Sequence, residues 1–179
     1  NTARFSLFDT GIQVAMLPFH PERVDLDPGS GYVRSISRWS PYSSRDIVQS
    51  LEEPSFLDPH LTDLIPSFLD RVRPELVGIS VSFPEQILPG FHCARVVKRH
   101  APDMPVVLGG AFVSCHMRGI RNARLFESID AIVLDEGETT LGHLLERVRA
   151  GERPLGSVIP GVPLPPDEAI APDYSLFPL

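Results

Sequence analysis

Cysteine, tryptophan and long apolar runs are scarce in this chain, and the shortages close off several classes of protein. Only Cys93 and Cys115 occur in 179 residues. That is too few for a disulfide framework and, with no secretion signal opening the chain, it is the usage expected of two free thiols in a reducing, cytoplasmic setting. The longest nearly uncharged apolar run, Val106 to Cys115, falls well short of the roughly 18 residues of a membrane span, so no membrane association is expected. Basic runs are missing and the net charge is −7, which argues against a nucleic-acid partner. His92 with Cys93, and Cys115 with His116, lack the short C-x-x-C or H-x-x-x-H spacing of a zinc site, so no metal ligands are expected there. There is no nucleophile elbow, phosphate loop or complete G-x-G-x-x-G. What remains is a binder of a small molecule that performs no chemistry by itself.

Proline is abundant: 19 residues, roughly twice the usual share of about 5%, gathered toward both ends. The length suits one compact α/β domain. Residues 1–55 read as an irregular N-terminal segment with partial first strands, residues 56–160 as the ordered domain, and residues 161–179 as a Pro-rich linker. The first residue is Asn1 rather than Met, as in an excised piece of a longer protein.

Within the first segment, Gln13 to Leu17 and Glu22 to Leu26 are candidate strands. The four residues between them are too few for a helical crossover, so the two cannot be sequential parallel neighbours. Residues 28–41, with Gly29, Gly31 and several Ser, read as loop. Ser43 or Ser44 is placed to cap a short helix through Glu52. From Leu61 the signal strengthens. Leu61, Leu64, Ile65, Phe68, Leu69 and Val72 recur at helical spacing, with Pro66 expected to kink or split the helix and Pro74 to end it. Residues 76–81 form a Val- and Ile-bearing run bounded by breakers, a strand expected to be buried on both faces. Ser82 to Glu85 make an S-x-x-E capping pattern before a helix carrying Ile87, Leu88, Phe91, Ala94 and Val97. Residues 105–108 are the next strand, ended by Gly109 and Gly110. A weak helix over 120–126, a strand over 130–134, a helix with Leu141, Leu144, Leu145 and Val148 closed by Gly151, and a strand over 157–159 complete the order.

Such alternation implies a doubly wound parallel sheet of the Rossmann or flavodoxin-like kind, with helices on both faces and right-handed crossovers. Ligands bind such sheets at the carboxyl ends of the strands, near the switch in strand order. Three ends qualify. At the first, the hydroxyls of Ser80 and Ser82 lie beside helix-start amides, where Ser82 either caps its helix or meets a ligand. At the second, Gly109 and Gly110 either allow a ligand close to the backbone or let the chain turn with positive φ. At the third, Asp135, Glu136 and Glu138 either accept hydrogen bonds from a ligand or are favoured there by the helix dipole.

Taken together, the three ends form a pattern. Ser80, Val81 and Ser82 are followed by 26 residues and then Gly109 and Gly110, which resembles the S-x-L … G-G half of the cobalamin-binding signature, with Ser82 in place of the Leu. With VSFPEQILPGFHCARVVKRHAPDMPVVLGGAF and DAIVLDEGETTLGHLLE, residues 61–160 resemble the B12-binding domain that precedes the catalytic barrel of cobalamin-dependent radical SAM enzymes. A GEGE-like turn in that family falls where Asp135 to Glu138 stand here. The other half of the signature, D-x-H-x-x-G, is represented only by Asp58, His60 and Asp63, without the glycine. Just 16 residues separate Asp63 from Ser80, far fewer than the family has. His60 is therefore not expected to ligate cobalt.

The resemblance implies cobalamin bound without a protein histidine on the metal, the His-off mode. Ser80, Ser82, Gly109 and Gly110 would line the dimethylbenzimidazole tail. Phe83, Gln86 and Asp135, Glu136, Gly137, Glu138 and Thr139 would lie near the corrin or its amides, and Ala111 and Phe112 are further cofactor-binding candidates. It further implies a parent methyltransferase or related enzyme in which the 4Fe-4S cluster and S-adenosylmethionine belong to a downstream radical SAM barrel, the partner of this module, acting on a small-molecule or peptide substrate. The cluster needs three thiolates in C-x-x-x-C-x-x-C, which Cys93 and Cys115 do not supply. Two other readings stay open: the same fold kept as a scaffold or substrate-docking domain with a dead cofactor site, and a flavodoxin-like flavin or signalling domain.

Overall fold

The computed structural model describes residues 24–27, 32–35, 38–55, 58–153 and 156–164. A two-stranded antiparallel ribbon pairs β1 (Val24–Asp27) with β2 (Tyr32–Ser35). The β2 segment overturns the expectation of continuous loop over 28–41. Aromatic and β-branched Tyr32 and Val33 favour an extended backbone, a signal hidden by the surrounding Gly and Ser. The candidate strand over 13–17 lies outside the described residues.

Helix α1 (Ser44–Leu51) starts where Ser43 Oγ accepts the Asp46 amide. Helix α2 (Asp58–Val72) runs unsplit through Pro66. The central sheet then follows as β3 (Val77–Ser80), α3 (Ile87–His100), β4 (Val106–Gly109), α4 (Ala111–His116), β5 (Ala131–Val133), α5 (Glu138–Arg149) and β6 (Ser157–Ile159). Its four strands are all parallel, in the order β3-β4-β5-β6. Helix α4 was not foreseen, because six residues are too few to show a helical period. The weak helix expected over 120–126 is a 3-10 turn at Ala123–Glu127.

Side chains alternate across the sheet. Val106, Leu108 and Ile132 join Val81, Ile87, Phe91, Val113 and Leu125 in the main core with α1, α2, α3 and α4. Val107, Ala131 and Val133 face the other way and are covered by Leu144 of α5. Helices thus lie on both faces, as an α/β sandwich requires. Two expectations fail. The strand order has no switch point among the described strands. In addition, the β5-to-β6 connection crosses the opposite face from β3-to-β4 while the order keeps advancing in one direction, so the two have opposite hands and cannot both be right-handed.

Strand β3 is also not buried on both faces: Val77 and Ile79 are half-buried, while Gly78 and Ser80 are exposed. The helix on their side, α5, covers β4 and β5 and stops short of β3. Gly110 is a glycine for two reasons. Its φ is +107°, and a Cβ there would sit 2.5 Å from the Val81 carbonyl oxygen. The close approach is that of backbone to backbone, Val81 donating to Gly109 O at 2.7 Å and accepting from Phe112 N at 3.1 Å.

Candidate functional site

Parallel register sets Ser80 directly beside Gly109, so residues 29 positions apart in the chain share one point at the carboxyl edge of the sheet. A cleft of about 440 Å³ opens there, lined by Gly78, Ile79, Ser80, Val107, Gly109, Gly110, Val133, Asp135, Gly137, Glu138 and Leu141. Its floor is the bare face of β3, bounded by the adjoining edge of β4, and one wall is the first turn of α5. This size is within the range of small-molecule sites, as is an apolar floor with a few polar groups at the rim.

Six residues expected from the sequence are gathered here: Ser80, Gly109, Gly110, Asp135, Gly137 and Glu138. The others fall elsewhere. Ser82 and Gln86 are exposed on the loop after β3, with the Gln86 Oε1 accepting from the amides of Ser82 at 2.8 Å and Phe83 at 3.2 Å. The helix start is therefore capped from Gln86, not by the Ser82 hydroxyl, because the turn begins later, at Pro84. Phe83 is 47% exposed and Phe112 is 5% exposed in the core, stacked near Tyr42 and His116. Ala111 is exposed at the start of α4, Glu136 is exposed outside the cleft lining, and Thr139 is half-buried.

The acidic turn is held from two sides. Asp135 has a left-handed φ of +59°. Its amide donates to Ser114 Oγ at 2.7 Å, and that hydroxyl donates to Gly110 O at 3.0 Å. The Asp135 carboxylate takes Arg118 at 2.6 Å, and this partner holds the guanidinium yet more firmly in its charged form. Ser114 and Arg118 carried no motif in the sequence. Gly78, Val107 and Leu141 were findable: the first two share a face with Ser80 and Gly109 by strand alternation, and Leu141 lies one helical turn past Glu138.

His60, in the first turn of α2, is exposed, and α2 packs into the main core on the other side of the sheet from the cleft floor. Its neighbour Asp58 is engaged instead with His92 Nδ1 at 2.9 Å and Arg95 at 3.0 Å. Burial pushes the Cys93 thiol up, away from the reactive thiolate. Among the described residues no group of three or more His, Cys, Asp or Glu is arranged to hold a metal ion, and no helix is long and apolar enough to cross a membrane. No family model, curated protein or solved structure matches this chain.

Proposed function

We propose that this chain is a cobalamin-binding module that serves a radical SAM barrel elsewhere in its parent protein, holding the cofactor without a protein histidine on cobalt. The observation that carries the reading is the pairing of Ser80 with Gly109 across β3 and β4 at the mouth of the cleft, which gives the signature spacing a spatial meaning. The residues fit the cofactor's tail. Gly78, where an added Cβ would meet nothing, leaves room for a flat ring over the bare face of β3, with the Ser80 hydroxyl at the rim as a hydrogen-bonding group for it. The volume suits the nucleotide tail, leaving the corrin outside at the strand ends near Phe83 and the Asp135 turn. When bound, the group would supply methyl transfer or another SAM-linked step, and this chain's own part is to bind and orient it.

The scaffold alternative would be favoured by a bulky group filling the space beside Gly109. The described residues put none there. Titration of the purified chain with hydroxocobalamin, followed by visible spectroscopy, tests the proposal. Saturable binding is expected, and Ser80→Ala should weaken it about five- to tenfold, the worth of one hydrogen bond. No binding by the wild-type chain, or saturable flavin binding in its place, would overturn the reading.

A further inference from the structure

We propose that residues 160–164, the stretch leaving β6, form a positioning strap for the cleft. The strap holds Glu136 outside the site, so that Glu138 is the carboxylate presented to a ligand. The inference rests on the cleft being the ligand site argued above.

The strap crosses the acidic turn at van der Waals limits. A Cβ on Gly161 would lie 2.2 Å from the Glu136 carbonyl oxygen and 2.3 Å from that of Leu134, so glycine is required for space. Two hydrogen bonds fasten the strap, Val162 N to Thr140 Oγ1 at 3.1 Å and Leu164 N to Glu136 Oε2 at 3.1 Å, directly after the Leu134 N to Ile159 O bond of 2.9 Å that ends the β5-β6 pairing. Thr140 is buried on α5, which ties the strap to the helix that forms the cleft wall.

The turn's three carboxylates are thereby sorted. Glu136 accepts from the strap, and Asp135 is committed to Arg118. Glu138 lines the cleft, is exposed, and has no ion-pair partner among the described residues. A lone acceptor-only carboxylate beside an apolar floor selects a ligand carrying amide or cationic N–H donors at its edge. Gly161 acts through the turn and is a positioning residue, whereas Glu138 would touch the ligand.

The test uses the full 179-residue chain and three variants, Gly161→Ala, Glu136→Ala and Glu138→Gln, with two readouts. Hydrogen exchange at the amides of residues 135–138 should accelerate about tenfold in the first two variants as the turn loosens. Hydroxocobalamin binding should weaken about tenfold in all three. Glu138→Gln should leave exchange unchanged, and Glu136→Ala, a surface change, should leave the thermal midpoint unchanged, so that lost affinity is not lost folding. Unaltered exchange in both strap variants overturns the strap, whether or not cobalamin binds. Wild-type affinity in Glu138→Gln overturns the role of Glu138. Accelerated exchange with no binding by the wild type upholds the strap and overturns the cofactor reading instead.

Discussion

At the residue scale the most consequential polar group is the Asp58, His92 and Arg95 cluster, which joins α2 to α3. The His92 side chain is 5% exposed. Its burial pushes the imidazole below its ordinary value of 6.5, the Asp58 hydrogen bond opposing and the nearby Arg95 charge adding to the shift. For Asp58, burial works to raise the value. The Ser55 amide and His92, with Arg95, outweigh it and hold the carboxyl below 3.8. Both shifts have the same sign of linkage. The folded state binds each proton less readily than the unfolded chain, so stability is full above about pH 6.5 and falls as the medium is acidified through the His92 range, then again below the ordinary Asp range. Urea midpoints at pH 7.5, 6, 5 and 4 should decline in that order. His92→Gln should flatten the first part of the decline, and an unchanged slope in that variant would refute the assignment.

At the scale of elements, α5 is the weak partner of the sheet. Its buried apolar contact is Leu144 against Val107, Ala131 and Val133, a cluster much smaller than the one beneath α3. Leu144→Ala should cost about 2–3 kcal/mol, the low end for a core leucine, since a site near the surface can partly collapse. Hydrogen exchange should then open α5 ahead of α3, and equal protection of both helices would contradict this. The elements most legible in the sequence were those with a strong period or firm boundaries. Helix α2, the strands ending at Ser80 and Gly109, and α5 closed by Gly151 form where their residues imply, but their burial was less legible: Leu64, Phe68 and Val72 of the α2 stripe are exposed, and β3 is bare on one face. Helix α4 was illegible because six residues cannot display a helical period, and β2 because its two strand-favouring residues, Tyr32 and Val33, stand among Gly, Ser and Arg instead of in an apolar run like those of β3 and β4. The capping role of Gln86 was missed because S-x-x-E overlaps a Pro that shifts the start of the helix by one residue. Within the site, spacing gave Ser80, Gly109 and the acidic turn. Arg118 and Ser114 were invisible, since each acts through a partner 17 or 21 residues away and no local pattern records that.

At the scale of the whole molecule, the parallel sheet is covered unevenly. One face is sealed by α3 and α4, while the other is covered over β4 and β5 and bare over β3. That asymmetry, more than any single side chain, makes a cleft at the carboxyl edge. Bare Gly78 therefore has a use. A side chain added there would meet nothing and would point into the slot, so Gly78→Leu amounts to a built-in plug. A leucine in a strand also loses less backbone entropy on folding than glycine does. The plugged chain should thus melt at or above the wild-type temperature while refusing any occupant of the slot. A variant that gains stability as it loses its ligand would separate the chain's capacity to fold from its capacity to bind. A plugged chain that still took up hydroxocobalamin with full affinity would put the ligand somewhere else on the molecule.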